Sequence, residues 1–293
     1  MSETNAASRA AEPTVTENDA IRARVRAQYR DVADGVAKAP TSSCCASGPT
    51  ASLALGYTQA DLDAVPQGAN MGLGCGNPTT LATLRPSEVV LNLGSGSGFD
   101  SFLAARQVGE EGRVIGVDMT PAMVSKARNN AATLGLAHVD FRLGEIEHLP
   151  VPDAHVDVIL SNCVINLSPD KAQVFREAFR VLAPGGRLAI SDIVALRAMP
   201  DALRKDAEAL VGCIAGAITV AELETRLEEA GFASVAIDVD ASSREFIKDW
   251  IPGSGAEDYV ASARITATKA GARRVAAASE DSVAPGGATT GCC

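Results

Sequence analysis

Seven cysteines and one glycine-rich turn are the residues of this sequence whose types and spacing could do chemistry. The cysteines are Cys44, Cys45, Cys75, Cys163, Cys213, Cys292 and Cys293. None belongs to a CxxC pair, so the spacing of a zinc knuckle or a dithiol redox centre is missing, and any joint sulfur site has to be assembled by folding. The turn reads LNLGSGSGFD, with Gly94, Ser95, Gly96 and Gly98 between an apolar run and a helical pattern. Such a turn lets backbone amides approach a ligand closely. Asp118, followed by Met119, closes the next apolar run about twenty residues later, where a carboxylate can accept hydrogen bonds from both hydroxyls of a ribose. Asp100, close behind the turn, would repel a pyrophosphate but attract a sulfonium or an amino group. The combination favours an adenosyl sulfonium, S-adenosylmethionine, over a dinucleotide.

In an open α/β sheet, ligands bind beyond the carboxyl ends of the strands. The residues following the fourth apolar run are SNCVINLSPDK, so Asn162 and Cys163 are expected to face the methyl group. No aromatic accompanies them, and with 4% aromatic residues overall a flat nucleobase or quinone would find few stacking partners. A thiolate beside a methyl sulfonium is open to two interpretations: the cysteine itself is methylated, or it holds a soft atom that is. Thiolates select thiophilic centres, and a trivalent metalloid bound by three sulfurs keeps its lone pair on the open side.

The elements that must position these groups are legible as short apolar runs separated by helical patterns, the signature of a wound parallel sheet. The runs cover 89–93, 113–118, 139–143, 156–162 and 187–192, and they are continuous enough for strands buried on both faces. Helices are expected over 99–109, 121–135 and 170–186, each ending at glycine. Glu145 and Ile146, after the third run, are candidates to lie against an adenine. An N-terminal helix is expected from Asp19 to Ala39, and a turn-rich stretch over 68–78 puts Cys75 among glycines. Residues 219–232 read as a helix, and 234–240 and 259–269 as alternating strands. The expected organisation is a disordered tail at 1–20, a Rossmann-like domain with N-terminal cysteine loops at 21–195, a substrate-binding region with the last strands at 196–270, and a second tail at 271–293.

A net charge of −10 would repel a phosphate backbone, which argues against nucleic acid and anionic membranes as partners. No apolar run spans a bilayer, and the first residues lack the basic and apolar regions of a signal peptide. A cytoplasmic monomer is expected, in which thiols stay reduced and available. His138, His148 and His155 form no ligand spacing and read as structural, as do Asp153 and Asp157. Cys292 and Cys293 fall in the polar tail.

The phrases LGYTQADLDAVPQGANMGLGCGNP, GVDMTPAMVSKAR, SNCVINLSPDK, GCIAGAITVAEL and SREFIKDWIPGSGAEDYV resemble the arsenite methyltransferase family, from about Leu55 to Thr268. The stretch from Glu88 to Asp192 more broadly resembles the class I S-adenosylmethionine methyltransferases. The resemblance implies a mostly parallel seven-stranded sheet with helices on both faces and a small C-terminal cap. It also implies methyl transfer from S-adenosylmethionine to arsenite or its thiol conjugates, a detoxification. It assigns Cys75, Cys163 and Cys213 to As(III), and pairs Cys75 during turnover with Cys44 or Cys45 in a disulfide reopened by thioredoxin or a small thiol. The rival expectations are methylation of a small organic nucleophile such as a quinone or sterol, and a non-catalytic protein that sequesters metalloid.

Overall fold

The computed structural model describes residues 15–36, 51–205 and 213–272. Seven strands form one sheet: β1 (Val89–Leu93), β2 (Arg113–Asp118), β3 (Val139–Leu143), β4 (Val156–Asn162), β5 (Leu182–Ala195), β6 (Ala233–Asp240) and β7 (Val260–Thr268). Their spatial order is β3-β2-β1-β4-β5-β7-β6. The first five strands pair in parallel, and β7 runs antiparallel to both β5 and β6. The mostly parallel seven-stranded α/β sheet expected from the sequence is the fold observed.

The helices are α1 (Val15–Ala33), α2 (Ala51–Ala54), α3 (Gln59–Asp63), α4 (Pro78–Ala82), α5 (Phe99–Val108), α6 (Pro121–Leu134), α7 (Lys171–Val181), α8 (Asp201–Lys205), α9 (Val220–Glu229) and α10 (Arg244–Ile247). Among the described residues, no helix is long and apolar enough to cross a membrane. The apolar runs form strands because helices cover both faces of the sheet centre. Val90, Leu91 and Leu93 of β1 and Val158, Ile159 and Leu160 of β4 are buried. Each such side chain contributes about 1.5–3 kcal/mol on removal from water.

Three boundaries depart from the sequence reading. The first helix begins at Val15, inside the stretch 1–20 expected to be a tail, and it carries Glu17 in its first turn, where a carboxylate favours the helix dipole. It ends at Ala33 rather than Ala39, with a turn closing through Gly35 at φ +70. Helix α7 stops at Val181 instead of reaching Gly186. Leu182 is already extended, and Pro184 lacks the amide a helix would need and disfavours helical backbone before it. That leaves Leu182–Ala195 to form one long strand.

The order of the strands decides where a ligand sits. After β1 the chain winds outward through β2 and β3, then returns to lay β4 on the other side of β1. This switch point opens a crevice beyond the carboxyl ends of β1 and β4, the habitual ligand site of such sheets. Opposite that crevice, Arg187 of β5 grips the start of β1. Its guanidinium donates to both carboxylate oxygens of buried Glu88, at 2.7 and 2.9 Å, and to the carbonyls of Ala82 and Thr83. Replacing Arg187 with Met should lower stability by about 3–5 kcal/mol, because the Glu88 carboxylate would stay buried without its bidentate partner. A denaturant titration checks this, and a midpoint equal to the wild type's would show the clamp to be dispensable.

Candidate functional site

The crevice is a cleft of about 1050 Å³, its mouth included, lined from β1 by Asn92 and the turn Gly94–Ser97, and from β2 by Asp118, Met119 and Thr120. Asn162 and Cys163 line it at the end of β4, and Arg22, Val25 and Tyr29 line it from α1. The glycine turn folds against its neighbours by backbone hydrogen bonds. Gly96 N–H donates to an Asp118 oxygen at 2.9 Å, and Thr120 N–H to the other at 2.8 Å. Burial holds the Asp118 carboxyl above its ordinary range, with those amides pulling the other way. The Ser95 hydroxyl lies buried in the cleft wall without a hydrogen-bond partner among the described residues, so the turn holds a polar group for a ligand to satisfy.

A carboxylate sits at the floor. Asp100 accepts the Tyr57 hydroxyl at 2.5 Å and the Asn162 amide at 3.3 Å. Burial pushes its pKa up to about 6, hydrogen bonds from Tyr57 and Asn162 offsetting part of that rise. The same environment, with the Asp100 charge beside it, raises Tyr57 well above its usual range. Above pH 6 the cleft floor is therefore anionic and desolvated, a setting in which an opposite charge is held strongly.

Next to this floor Cys75 and Cys163 bring their sulfurs within 4.8 Å of each other, and Cys213 packs in the same apolar cluster. Cys163 follows β4 with φ +56, and its amide donates to the Ser191 carbonyl of β5 at 2.9 Å. Cys213, also left-handed at φ +65, donates its thiol to the Cys163 carbonyl at 2.8 Å. Two non-glycine residues in that conformation store strain, which a packed surrounding has to maintain. Cys75 reaches the same place from the glycine-rich loop, its amide on Asn162 Oδ1 at 3.0 Å and its thiol on the Ser191 carbonyl at 3.4 Å. Gly74 lets the loop lie so close: its φ is +144, and a Cβ there would stand 2.8 Å from the Asn162 amide. All three cysteines are buried, packed with Leu167, Ile193, Ile214 and Trp250.

The other sequence candidates distribute as follows. Ser95, Gly96, Met119, Ile146 and Asn162 line the cleft with Gly94 and Asp118. Gly98 does not; it caps α5 and packs against Phe102 and Phe141. Glu145 is not among the residues that line the cleft; its carboxylate lies 3.1 Å from Arg26 and 3.5 Å from Arg22 of α1, and Arg22 does line the cleft. Cys44, Cys45, Cys292 and Cys293 lie outside the described residues. Asp157 accepts the Val89 amide, Asp153 pairs with Arg180, and His138 approaches the Ala105 carbonyl, all structural contacts.

Sequence reasoning missed Tyr57, Arg22, Tyr29 and Asp192. Asp192 ends the fifth apolar run, and its place at a strand's carboxyl end beside Cys163 was a usable signal. Tyr57 and the α1 residues gave none, because they join the site only through tertiary packing.

A family model described as a methyltransferase domain matches residues 84–231, the stretch that builds β1–β5 and α9. The crystal structure of CrArsM, an arsenic(III) S-adenosylmethionine methyltransferase from Chlamydomonas reinhardtii, superposes with a TM-score of 0.55. It is 33% identical, over 77% of this chain and 75% of that one. The chain belongs to the arsenite methyltransferase family. Arsenite methyltransferase of Halobacterium salinarum is 52% identical over 228 residues, 77% of this chain and 58% of the relative. That of Aquipseudomonas alcaligenes is 41% identical over 217 residues, 71% of this chain and 61% of the relative. The chain thus spans about three fifths of the length of these two curated arsenite methyltransferases.

Proposed function

We propose that this chain methylates trivalent arsenic held by the thiolates of Cys75, Cys163 and Cys213, using S-adenosylmethionine bound in the cleft. The observation that carries the reading is that the buried sulfurs of Cys75 and Cys163 lie within 4.8 Å of each other, with the Cys213 thiol on the Cys163 carbonyl, beside a cleft whose floor is a desolvated carboxylate. The names of the relatives agree with it.

The residues fit the cofactor. Gly94–Gly96 would allow it a close backbone approach, Asp118 at the end of β2 offers a carboxylate to ribose hydroxyls, and Asp100 offers negative charge to an ammonium or sulfonium. When bound, S-adenosylmethionine supplies an electrophilic methyl carbon. The protein's work is then mostly positioning, because a lone pair meeting a sulfonium methyl needs little acid or base help. The thiolates hold arsenic with its lone pair on the open side, and Cys163, which lines both the cleft and the sulfur cluster, sets the approach. Bonding of the methyl carbon to arsenic raises the metalloid formally from three to five as the carbon–sulfur bond breaks. Two thiols can return it to the trivalent state by giving up two electrons and forming a disulfide. Cys75 with Cys44 or Cys45 would do so, reopened by thioredoxin or a small thiol.

Speciation of the products from purified protein, arsenite, thiols and S-adenosylmethionine tests the reading. Methylated arsenicals are expected. Arsenic and cofactor binding without product would favour sequestration, and arsenite-independent cofactor consumption with a quinone or sterol would favour an organic acceptor.

A pH dependence follows from Asp100. Its raised pKa means the carboxyl is charged above about 6 and neutral below. Affinity for the positively charged cofactor should therefore fall as pH drops through 6, and Asp100→Asn should be weaker at neutral pH and flat across that window. Calorimetric titrations at several pH values check both, and a pH-independent wild type would remove Asp100 from cofactor recognition.

A further inference from the structure

The sulfurs of Cys75 and Cys163 do not stand alone: they and a carboxylate oxygen of Asp192 all lie within 4.8 Å of one another, all three residues buried. They come from three elements, the loop before α4, the turn after β4 and the end of β5. Arsenic capture explains thiols but gives no use to a hard anionic oxygen among them. The carboxylate is held firmly. One oxygen accepts the Ile165 amide at 3.0 Å; the other accepts the Ile193 amide at 2.8 Å and the Asn166 side-chain amide at 2.9 Å. Outer hydrogen bonds of this sort fix the orientation of metal-ligating carboxylates. Each carboxylate oxygen offers two lone pairs, so the hydrogen bonds that hold Asp192 do not bar it from a metal ion.

We propose that Cys75, Cys163 and Asp192 form a binding site for a thiophilic divalent cation, Zn²⁺ or Cd²⁺, that shares its sulfurs with the trivalent metalloid. Charge supports a dication. Two thiolates and one carboxylate carry three negative charges, the half-buried Lys171 ammonium acting on Asp192 returns one, and a dication balances the remaining two. Size supports it as well. Tetrahedral zinc, with sulfur at about 2.3 Å and oxygen at about 2.0–2.2 Å, sets its donors about 3.5–3.8 Å apart. Movements of about 1 Å would therefore close the cluster on an ion, with a fourth position left for water. The metalloid needs a third sulfur, Cys213, whereas the dication takes Asp192 in its place, so one pocket sorts two kinds of thiophile by its third ligand. This site stands whether or not the chain methylates arsenic.

The test uses full-length protein in which Cys44, Cys45, Cys292 and Cys293 are all replaced by Ser, reduced with a phosphine and titrated with Co²⁺. We expect one equivalent to bind, with thiolate-to-cobalt charge transfer and tetrahedral d–d bands that added Zn²⁺ abolishes. Adding Asp192→Asn should weaken binding at least tenfold while the charge transfer persists at saturation. Cys75→Ser and Cys163→Ser should each lose about half of the charge-transfer intensity, and they carry the test should Asp192→Asn fail to fold, as judged by circular dichroism. Arsenite added to the cobalt-loaded protein should bleach the bands. Absence of a stoichiometric band, a band indifferent to Cys75→Ser and Cys163→Ser, or an affinity indifferent to folded Asp192→Asn would each overturn the cation site, and bands that arsenite leaves intact would overturn only the sharing of its sulfurs, which rests on the arsenic reading.

Discussion

Cys163→Ser is expected to lower arsenic methylation by more than about 100-fold, since removing even a partner of a metal ligand costs 10–100-fold and here the ligand itself is lost. Affinity for S-adenosylmethionine should stay within about threefold of the wild type, a change of less than about 1 kcal/mol. The substitution isolates softness from shape. Serine keeps the amide that donates to Ser191 and the carbonyl that accepts the Cys213 thiol, so the contacts that hold the left-handed turn survive. What disappears is a polarisable thiolate, which a hard hydroxyl cannot replace toward a trivalent metalloid. Calorimetry for the cofactor, beside arsenic speciation for the product, separates the two quantities. Loss of cofactor binding in the variant would assign the thiol to the cofactor instead, and retained methylation would remove it from the arsenic site.

The sequence made the sheet legible because its central strands are buried on both faces and so read as unbroken apolar runs. The turn at Gly94 and the carboxylate at Asp118 were legible for a related reason: strand ends in this topology are ligand positions, and residue types there have few other purposes. Cys163 could be singled out on the same ground. Cys75 and Cys213 could not, because neither ends a parallel strand, and only a family resemblance tied them to the site. Their meeting depends on contacts across the fold, the Cys75 thiol on the Ser191 carbonyl and the Cys213 thiol on the Cys163 carbonyl, which no local pattern encodes. Glu145 is a candidate by its distance along the chain; its carboxylate pairs with Arg22 and Arg26 of α1, a helix more than a hundred residues away, while Ile146 lines the cleft. The Tyr57–Asp100 bond is of the same tertiary kind: Asp100 was noticed for its charge, and its hydroxyl partner was not.

Gly94→Ala should cost at least tenfold in S-adenosylmethionine affinity, or 1.4 kcal/mol, and a larger factor in arsenic methylation. Two penalties act together. Gly94 holds φ +61, where a side chain costs about 1–2 kcal/mol. A Cβ there would also stand 2.4 Å from Val164 Cγ2 and 2.8 Å from Val164 Cβ, too close for any contact, so one segment has to move. Val164 directly follows Cys163, and pushing it back drags the strained turn that presents the thiol. One methyl group on the cofactor side of the cleft would therefore misplace the arsenic side, and the loss in methylation should exceed the loss in binding. The double variant Gly94→Ala with Val164→Ala removes the Cγ clash, the tightest contact, but leaves the 2.8 Å approach of the residue 164 Cβ and the φ penalty. Its cofactor affinity should recover in part, with a coupling of about 1 kcal/mol between the two positions in a double-mutant cycle. Purely additive losses would mean the turn yields without touching Val164. Wild-type affinity in Gly94→Ala alone would mean that the close backbone approach at Gly94 is not what the cofactor uses.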